Sequence, residues 1–328
     1  MRIVITGGAG FIGKKLARAL LVRGTLMDRQ GTVQPLRTVT LFDVVPAEGL
    51  PDDPRLDLRT GDITDADEVR RLIGAGTDGV FHLAAIVSAN AEEDFDLGYR
   101  VNLDGTRHVL EACRALPKPA RLVFASSVAV YGGDTPEVLD DGTILTPQTS
   151  YGAQKAMGEL LINDYSRKGF VDGRALRLPT IVVRPGRPNR AASTFASSII
   201  REPLIGDEAI CPVERDAQMY ILSPRRVIEA LIHAFELPAS ELGMVRMLTL
   251  PGVTASVGEM ADALREVAGE EVASRIRWQP DPRIQKIVAG WPARIDARRA
   301  RELGFKSDAD LIEIIDAHIE DEIGGLLV

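Results

Sequence analysis

Cysteine, basic charge and long apolar runs are all in short supply in this 328-residue chain, and each shortage rules something out. Its two cysteines, Cys113 and Cys211, are too few and too far apart for a disulfide framework or a cysteine metal site. Lysine and arginine number 39 against 47 aspartates and glutamates, a net charge of −8. That balance argues against nucleic acid as the main partner, because neutralising phosphates takes basic patches. A basic pocket for one small anion stays open. No apolar run approaches the roughly 20 residues of a membrane span. The N-terminus enters a strand-like run without the charged start, apolar stretch and small-residue cleavage site of a signal peptide. The expected setting is the cytoplasm, with no membrane partner. What is present, 45% apolar and 26% charged residues, suits an ordinary globular protein with length enough for one large domain or two.

The chain is organised around Met1 to Gly13, MRIVITGGAGFIG. Arg2 to Thr6 is short, β-branched and apolar, as a buried parallel strand should be. From Phe11 onward the apolar residues at 11, 12, 16, 20 and 21 form a helical stripe. Between them Gly7 lets the chain turn, Gly10 presents no side chain to a pyrophosphate, and Gly13 lets the helix approach the strand. The pyrophosphate would then rest on the free amides around Phe11, Ile12 and Gly13 at the helix N-terminus. A second strand, Thr38 to Phe42, ends in Asp43, placed to accept hydrogen bonds from an adenosine ribose and to repel a 2′-phosphate, which favours NAD over NADP. Asp43 lies 36 residues after Gly7, well past the usual separation of roughly 20. The stretch Gly24 to Arg37 therefore reads as an inserted loop or small hairpin. A turn cap before Pro46 is the competing reading of Asp43.

Strands and helices then alternate. Arg55 to Gly61 reads as a third strand, followed by Asp62 and Ile63. These two would meet the adenine, unless Asp62 caps the helix of DADEVRRLI. Gly79 to Leu83 is a fourth strand running into Ala84 and Ala85, small residues that let backbone pass close to a ligand. Ala91 to Leu116 carries one long helical pattern containing Asn102 and Thr106, and Arg121 to Phe124 is a fifth strand ending at Ala125, Ser126 and Ser127. A Gly/Pro-rich loop from 132 to 149 leads to the helix Tyr151 to Lys168, and Ala175 to Val183 returns to strand. This predicts an α/β fold, a doubly wound parallel sheet of the Rossmann kind, with ligands beyond the carboxyl ends of its strands. Residues 1–183 form the predicted NAD domain, and 184–328 mainly a smaller α+β substrate lobe. In that lobe, Ser223 to Leu237 is an amphipathic helix that returns to the sheet. Short strands are expected near Met244 to Leu250 and Arg275 to Trp278, and helices at 191–201, 257–268 and 309–322.

Tyr151 and Lys155, four apart on a helix, project from one face. A free tyrosine has a pKa of about 10, too high for a base at neutral pH. An adjacent ammonium and a positive nicotinamide lower it. Ser127 would hold the substrate hydroxyl for proton transfer to Tyr151. Taken alone, Tyr-x-x-x-Lys is equally an exposed helix pair. His82, at a strand end, reads as packing rather than chemistry.

The set TGGAGFIG, HLAA, SSVAVYGG and YGAQK resembles the extended short-chain dehydrogenase/reductase family, which also holds nucleotide-sugar epimerases and dehydratases, and ARIDARRARELGF resembles that family's closing segment. The resemblance implies Tyr151 as acid/base, Lys155 as its partner and ribose contact, and Ser127 as the third catalytic residue, chosen over Ser126 because it stands four before Tyr131 of the VYG motif. It implies a helix-bending, mostly structural role for Asn102 near the cofactor, and Pro179 beside the cofactor. A homodimer through the 91–116 and 150–168 helices is expected, with Ala112, Ala156 and Gly158 offering close packing.

The lobe departs from the nucleotide-sugar pattern. Thr180 and Arg184 stand where an asparagine and a V-Y-G-P segment are common, and Gln218 where an arginine would hold the nucleotide phosphate. Arg184, Arg187, Asn189 and Ser193 instead suit a small carboxylate, which arginine grips through paired hydrogen bonds. Any one of these arginines is equally a solvated surface charge. Ser88, Ser127, Thr180, Arg184, Asn189 and Ser193 are the expected substrate contacts. The run from Thr149 to Asn189 is similar to the branch of the family that oxidises the four-carbon sugar acid D-erythronate at C2. The alternatives are a UDP-hexose 4-epimerase with retained cofactor, and a non-catalytic NAD-binding regulator.

Overall fold

The computed structural model describes residues 1–186 and 192–324. Seven strands build the main sheet: β1 (Arg2–Thr6), β2 (Thr38–Asp43), β3 (Leu56–Thr60), β4 (Gly79–His82), β5 (Arg121–Ser127), β6 (Asp172–Leu178) and β7 (Met247–Thr249). They lie in the order β7-β6-β5-β4-β1-β2-β3. The ladders β1 with β2, β1 with β4, β2 with β3, and β4 with β5 are parallel. Four of five residues in β1 are buried, which explains why this strand reads as a continuous rather than an alternating apolar run, and all seven in β6 are buried although Asp172, Arg174 and Arg177 are charged. The order reverses between β1 and β4, which puts the ligand crevice of a doubly wound sheet beyond the ends of those strands. Helices α1 (Phe11–Arg23), α2 (Ala66–Leu72), α3 (Gly105–Arg114) and α4 (Ser150–Arg167) flank the sheet. Val80, Leu110, Leu122, Phe124 and Ile162 lie in the core they share.

The inserted segment is a hairpin, Thr25–Met27 against Val33–Pro35. Its turn closes on Asp28, whose carboxylate accepts the amides of Gln30 and Thr32. Its base is tied down by Glu236, which accepts from Met27 N and pairs with Arg23. The hairpin lengthens the path from Gly7 to Asp43 without moving β2 off β1.

The long helix expected over 91–116 is broken. It runs as Ser88–Glu93, Phe95–Gly98, a π-turn Tyr99–Asp104, and α3. Asp94 restarts it by accepting from Leu97 N, and the wide π-turn carries Asn102 inward. Ala112 and Gly158 are buried within the fold, Gly158 so tightly that a Cβ would stand 2.9 Å from the Phe124 ring. They pack this chain's own core and offer nothing to a partner.

The chain forms two compact units, one of residues 1–130, 149–177 and 228–248, the other of 131–148, 178–227 and 249–328. Beyond the expected cut near 183 and the expected return of the 223–237 helix, the loop 131–148 joins the second unit. Leu139 bridges to Ile295 there, and the Tyr131 hydroxyl shares a hydrogen bond with Thr249. β7, expected in the lobe, completes the main sheet instead, since Leu248 is wholly buried beside β6. The second unit has a three-stranded sheet, Val253–Ser256, Gln218–Leu222 and Thr180–Ile181, and a pair Ala209–Cys211 with Ile276–Trp278. Helices α5 (Thr194–Leu204), α6 (Val257–Ala268) and α7 (Leu311–Glu322) enclose a core including Phe195, Ile199, Met219, Leu264 and Ile315. Among the described residues no helix is long and apolar enough to cross a membrane, and no cluster of side chains could hold a metal.

At the start of β6, buried Asp172 serves several arginines: Arg174 at 2.8 Å, Arg121 at 3.2 Å, Arg246 at 3.4 Å and the more exposed Arg29 at 3.7 Å. Removing one side of such a buried group strands the other. Asp172→Asn should therefore destabilise the protein by about 3–5 kcal/mol, read as a lower denaturant midpoint at unchanged slope.

Candidate active site

The dinucleotide turn is shaped by close approach. Gly7 has φ +72°, and a Cβ there would sit 2.7 Å from Ala84 N at the end of β4. A Cβ on Gly13 would stand 2.4 Å from Gly7 O, so only glycine lets α1 start this near β1. Gly10 closes the turn through its N–H to Gly7 O at 3.1 Å. It caps α1 without a side chain, so the amides of Phe11, Ile12 and Gly13 have no cap acceptor. This is a cradle of free N–H groups at the positive end of a helix, fitted to a pyrophosphate.

Asp43, at the end of β2, accepts from Ala9 N at 3.0 Å and Val45 N at 3.4 Å. It lines a small cavity with Ala9, Val45, Pro46 and Thr60. Its carboxylate thus braces the glycine turn. Asp62 is exposed and accepts from Thr64 N, while the cap of α2 is Asp65, which accepts from the amides of Asp67 and Glu68. The capping reading therefore moves from Asp62 to Asp65. Ile63 is buried against Gly105 and lends little side-chain surface to a ring. Ala84 and Ala85 are half-buried in the loop after β4, with Ala84 N donating to Thr6 Oγ1 at 3.3 Å. His82 is enclosed, its ring nitrogens 2.7 Å from Thr6 Oγ1 and 2.9 Å from Thr106 Oγ1. Burial, assisted by the Lys155 cation, pushes its pKa down to about 3. It is a neutral strut.

Three side chains on one face of α4 meet three consecutive residues at the end of β5. Tyr151 lies near enough to Ser127 for the serine hydroxyl to lower its pKa, Lys155 Nζ donates to Ala125 O at 2.8 Å, and Glu159 Oε1 accepts from Ser126 Oγ at 2.6 Å. Ser126 and Ser127 point oppositely, as neighbours on a strand must. Ser126 goes to the structural acid and Ser127 to the tyrosine. Glu159 is held in turn by a two-pronged contact from Arg177 at 2.7 and 2.9 Å. The sequence reading passed over Glu159, although its spacing of four beyond Lys155 on the same helix face was visible.

The electrostatics oppose each other. Burial pushes the Tyr151 phenol up to about 12, with the Ser127 hydroxyl pulling the other way. Burial also pulls Lys155 down to about 7, against the attraction of Glu159. Its ammonium sits 4.7 Å from the centre of the Phe124 ring and 5.5 Å from that of Tyr151. A protonated Lys155 beside Tyr151 favours the phenolate and shortens the climb to a working base.

In the second unit, half-buried Arg184 donates through Nη2 to Ser193 Oγ at 2.9 Å, and its amide donates to Ser197 Oγ at 3.0 Å. Arg201 donates to the Arg184 carbonyl. Among the described residues no carboxylate is paired with Arg184, whose pKa is lowered by burial and then by Arg201. Thr180 is half-buried on the strand paired with Ile221, after buried Pro179. Gln218 is exposed and donates to Asp216 O. Arg187 and Asn189 lie outside the described residues. Ser88 opens the short helix after the Ala84–Ala85 loop.

The NAD dependent epimerase/dehydratase family model matches residues 3–242. The chain is 54% identical to the D-erythronate dehydrogenase of Cupriavidus necator across 98% of both chains. It is 45% identical to that of Haemophilus influenzae across 98% of this chain and 99% of the other. A crystal structure described as a nucleoside-diphosphate-sugar epimerase from Agrobacterium tumefaciens aligns with TM-score 0.95 at 46% identity, over all of this chain and 96% of its own.

Lys155 is a liability to the ligand-free fold. Its folded pKa of about 7 lies below its ordinary 10.5. The unfolded chain thus holds the proton more tightly between those values, and stability contributed by this group rises with pH across that window. Lys155→Met should therefore raise the melting temperature at pH 7 by a few degrees and flatten its pH dependence between 7 and 10, while abolishing turnover. Calorimetry across that range checks it.

Proposed function

The chain belongs to the NAD dependent epimerase/dehydratase family, and from that premise we propose that it oxidises D-erythronate at C2 to 2-oxo-D-erythronate, with NAD as the oxidant. The observation that carries the substrate class is Arg184, a half-buried guanidinium with a serine partner and no paired carboxylate among the described residues. A sugar acid supplies the missing anion. Exposed Gln218, at the place where a nucleotide-sugar site would need a phosphate-binding cation, weighs against a diphosphate substrate.

The glycine turn fits a dinucleotide, since its open side is bounded by backbone N–H and by positions where a Cβ cannot stand. Bound there, NAD supplies the acceptor for the hydride leaving C2. Gly7, Gly10 and the amides of Phe11, Ile12 and Gly13 hold the pyrophosphate, and Asp43 the adenosine ribose. Asp62 and Ile63 border the adenine, while Ala84, Ala85 and Pro179 line the rest. Tyr151 takes the proton of the C2 hydroxyl as the carbonyl forms. Ser127 donates to that oxygen and keeps it in line with the phenol. Lys155, positively charged, stabilises the phenolate and binds the nicotinamide ribose. Ser88, Thr180, Arg184, Asn189 and Ser193 orient the acid, and the second unit serves as the substrate lobe.

We further infer a cytoplasmic homodimer. Supporting the location, Cys113 and Cys211 are both buried, unpaired thiols, as a reducing compartment leaves them. Supporting the dimer, Leu160 on α4 and Phe95 are 64% and 55% exposed on the neighbouring faces where a second copy would dock.

Purified protein with NAD should form NADH on D-erythronate within a panel of C4 to C6 sugar acids, and turnover of none would refute the reading. Conversion of a UDP-hexose without net NADH would instead establish the epimerase. Tyr151→Phe should remove turnover with NAD affinity nearly intact. Arg184→Leu should raise the KM for the acid on the order of a hundredfold, the loss of two charge-assisted hydrogen bonds, with the KM for NAD little changed.

A further inference from the structure

Gln154 lies between Tyr151 and Lys155 on α4 and is wholly buried. Half of its amide is used. Oε1 accepts from Asn102 Nδ2 at 2.6 Å, whereas Nε2 is buried without a hydrogen-bond partner. Nε2 is wedged where a Cβ on Gly98 would stand 2.8 Å away, so no side chain can grow from that position to meet it. An unmade buried donor destabilises a fold, and an apolar side chain of the same length would only move that loss to the second Asn102 Nδ2 hydrogen.

What the glutamine holds is more informative. The Asn102 amide makes both bonds that a neighbouring strand would make to Ile86: Oδ1 accepts from Ile86 N at 2.7 Å, and Nδ2 donates to Ile86 O at 3.0 Å. The remaining Nδ2 hydrogen goes to Gln154. Ile86 lies in the loop from Leu83 to Val87 that follows β4 and carries Ala84 and Ala85. The side chain of Asn102 thus substitutes for a strand partner of a loop that has none, and Gln154 fixes the rotamer in which it does so.

We propose that Gln154 is a positioning residue for the cofactor: through Asn102 it pins the Leu83–Val87 loop to the helix that carries Tyr151 and Lys155, so that loop and catalytic side chains are pre-set together. The proposal rests on the reading that NAD is the cofactor and that Ala84 and Ala85 border it. A loop released from this clamp spends less time in the binding-competent form, and the apparent dissociation constant rises in proportion.

The test is NAD binding by titration calorimetry on the whole protein, with four variants beside it. Gln154→Met keeps length and exchanges one stranded donor, Gln154 Nε2, for another, the second Asn102 Nδ2 hydrogen. It should melt near the wild-type temperature yet bind NAD about tenfold more weakly, the result of a tenfold fall in the competent fraction. A purely structural glutamine would give the opposite pattern, a lower melting temperature with unchanged binding, and that result overturns the proposal. Gln154→Glu keeps an acceptor for Asn102 and should bind NAD within about twofold of wild type, since the competent fraction is preserved; a tenfold loss there overturns it too, even if the methionine variant does not fold. Asn102→Ala should weaken NAD, and adding Gln154→Met to it should cause no further loss. Additive losses would show that the two amides act separately. Failure of the wild-type protein to bind NAD would overturn the cofactor reading along with this one, whereas wild-type binding with an unchanged methionine variant overturns this one alone.

Discussion

The proposed catalytic residues of this protein all depend on one helix face laid against one strand end. Tyr151, Lys155 and Glu159 come at consecutive turns of α4 and reach Ser127, Ala125 and Ser126 at the end of β5. A helix repeat of 3.6 and a strand repeat of 2 do not match over long distances, but over three residues they can be joined. The join is anchored by its buried ionic member, the Glu159–Arg177 pair, which fixes which serine faces which side. The two upper contacts are then free to be chemically strained. A phenol raised by burial and an ammonium lowered by it sit side by side, and each is disfavoured in its charged form until the other is charged. Burial therefore makes the site reluctant in isolation and responsive to a further positive charge.

The same division runs through the rest of the molecule. Away from the chemistry the Asp172 carboxylate is well supplied by its arginines. Close to the chemistry the satisfaction lapses. Lys155 holds a charge in an enclosed place, Gln154 leaves a donor unused, and Arg184 has a hydroxyl where a carboxylate would serve better. At Lys155 and Arg184 these departures from good packing practice fall where the proposed ligands would complete them.

Much of this was legible in the chain. The glycines at 7, 10 and 13, the carboxylate at 43 and the Tyr151–Lys155 pair come from short-range rules of turn, helix face and strand end, the choice of Ser127 over Ser126 comes from the family resemblance, and the parallel sheet follows from the alternation of elements. What was missed is of longer range. The long helix reads as continuous from 91 to 116 because helical periodicity does not register a single extra residue in a π-turn. β7 reads as lobe because three apolar residues carry no label for which sheet they join. Asp62 and Asp65 are equally good caps on paper, and the amide pattern alone separates them. Gln154 is silent in the sequence, since its meaning lies in a contact 52 positions away.

The division of the chain into two units has an evolutionary consequence. The backbone passes from one unit to the other five times, at 130/131, 148/149, 177/178, 227/228 and 248/249. The first two of these passages fall between Ser127 and Tyr151. A lobe of different specificity therefore cannot be exchanged by one recombination event near residue 183, as a C-terminal appendage could be. It would leave the loop 131–148 with the wrong partner, and that loop is strung directly between two residues of the proposed catalytic set. An exchange that kept the loop with its own unit would have to replace residues 131–148, 178–227 and 249–328 together.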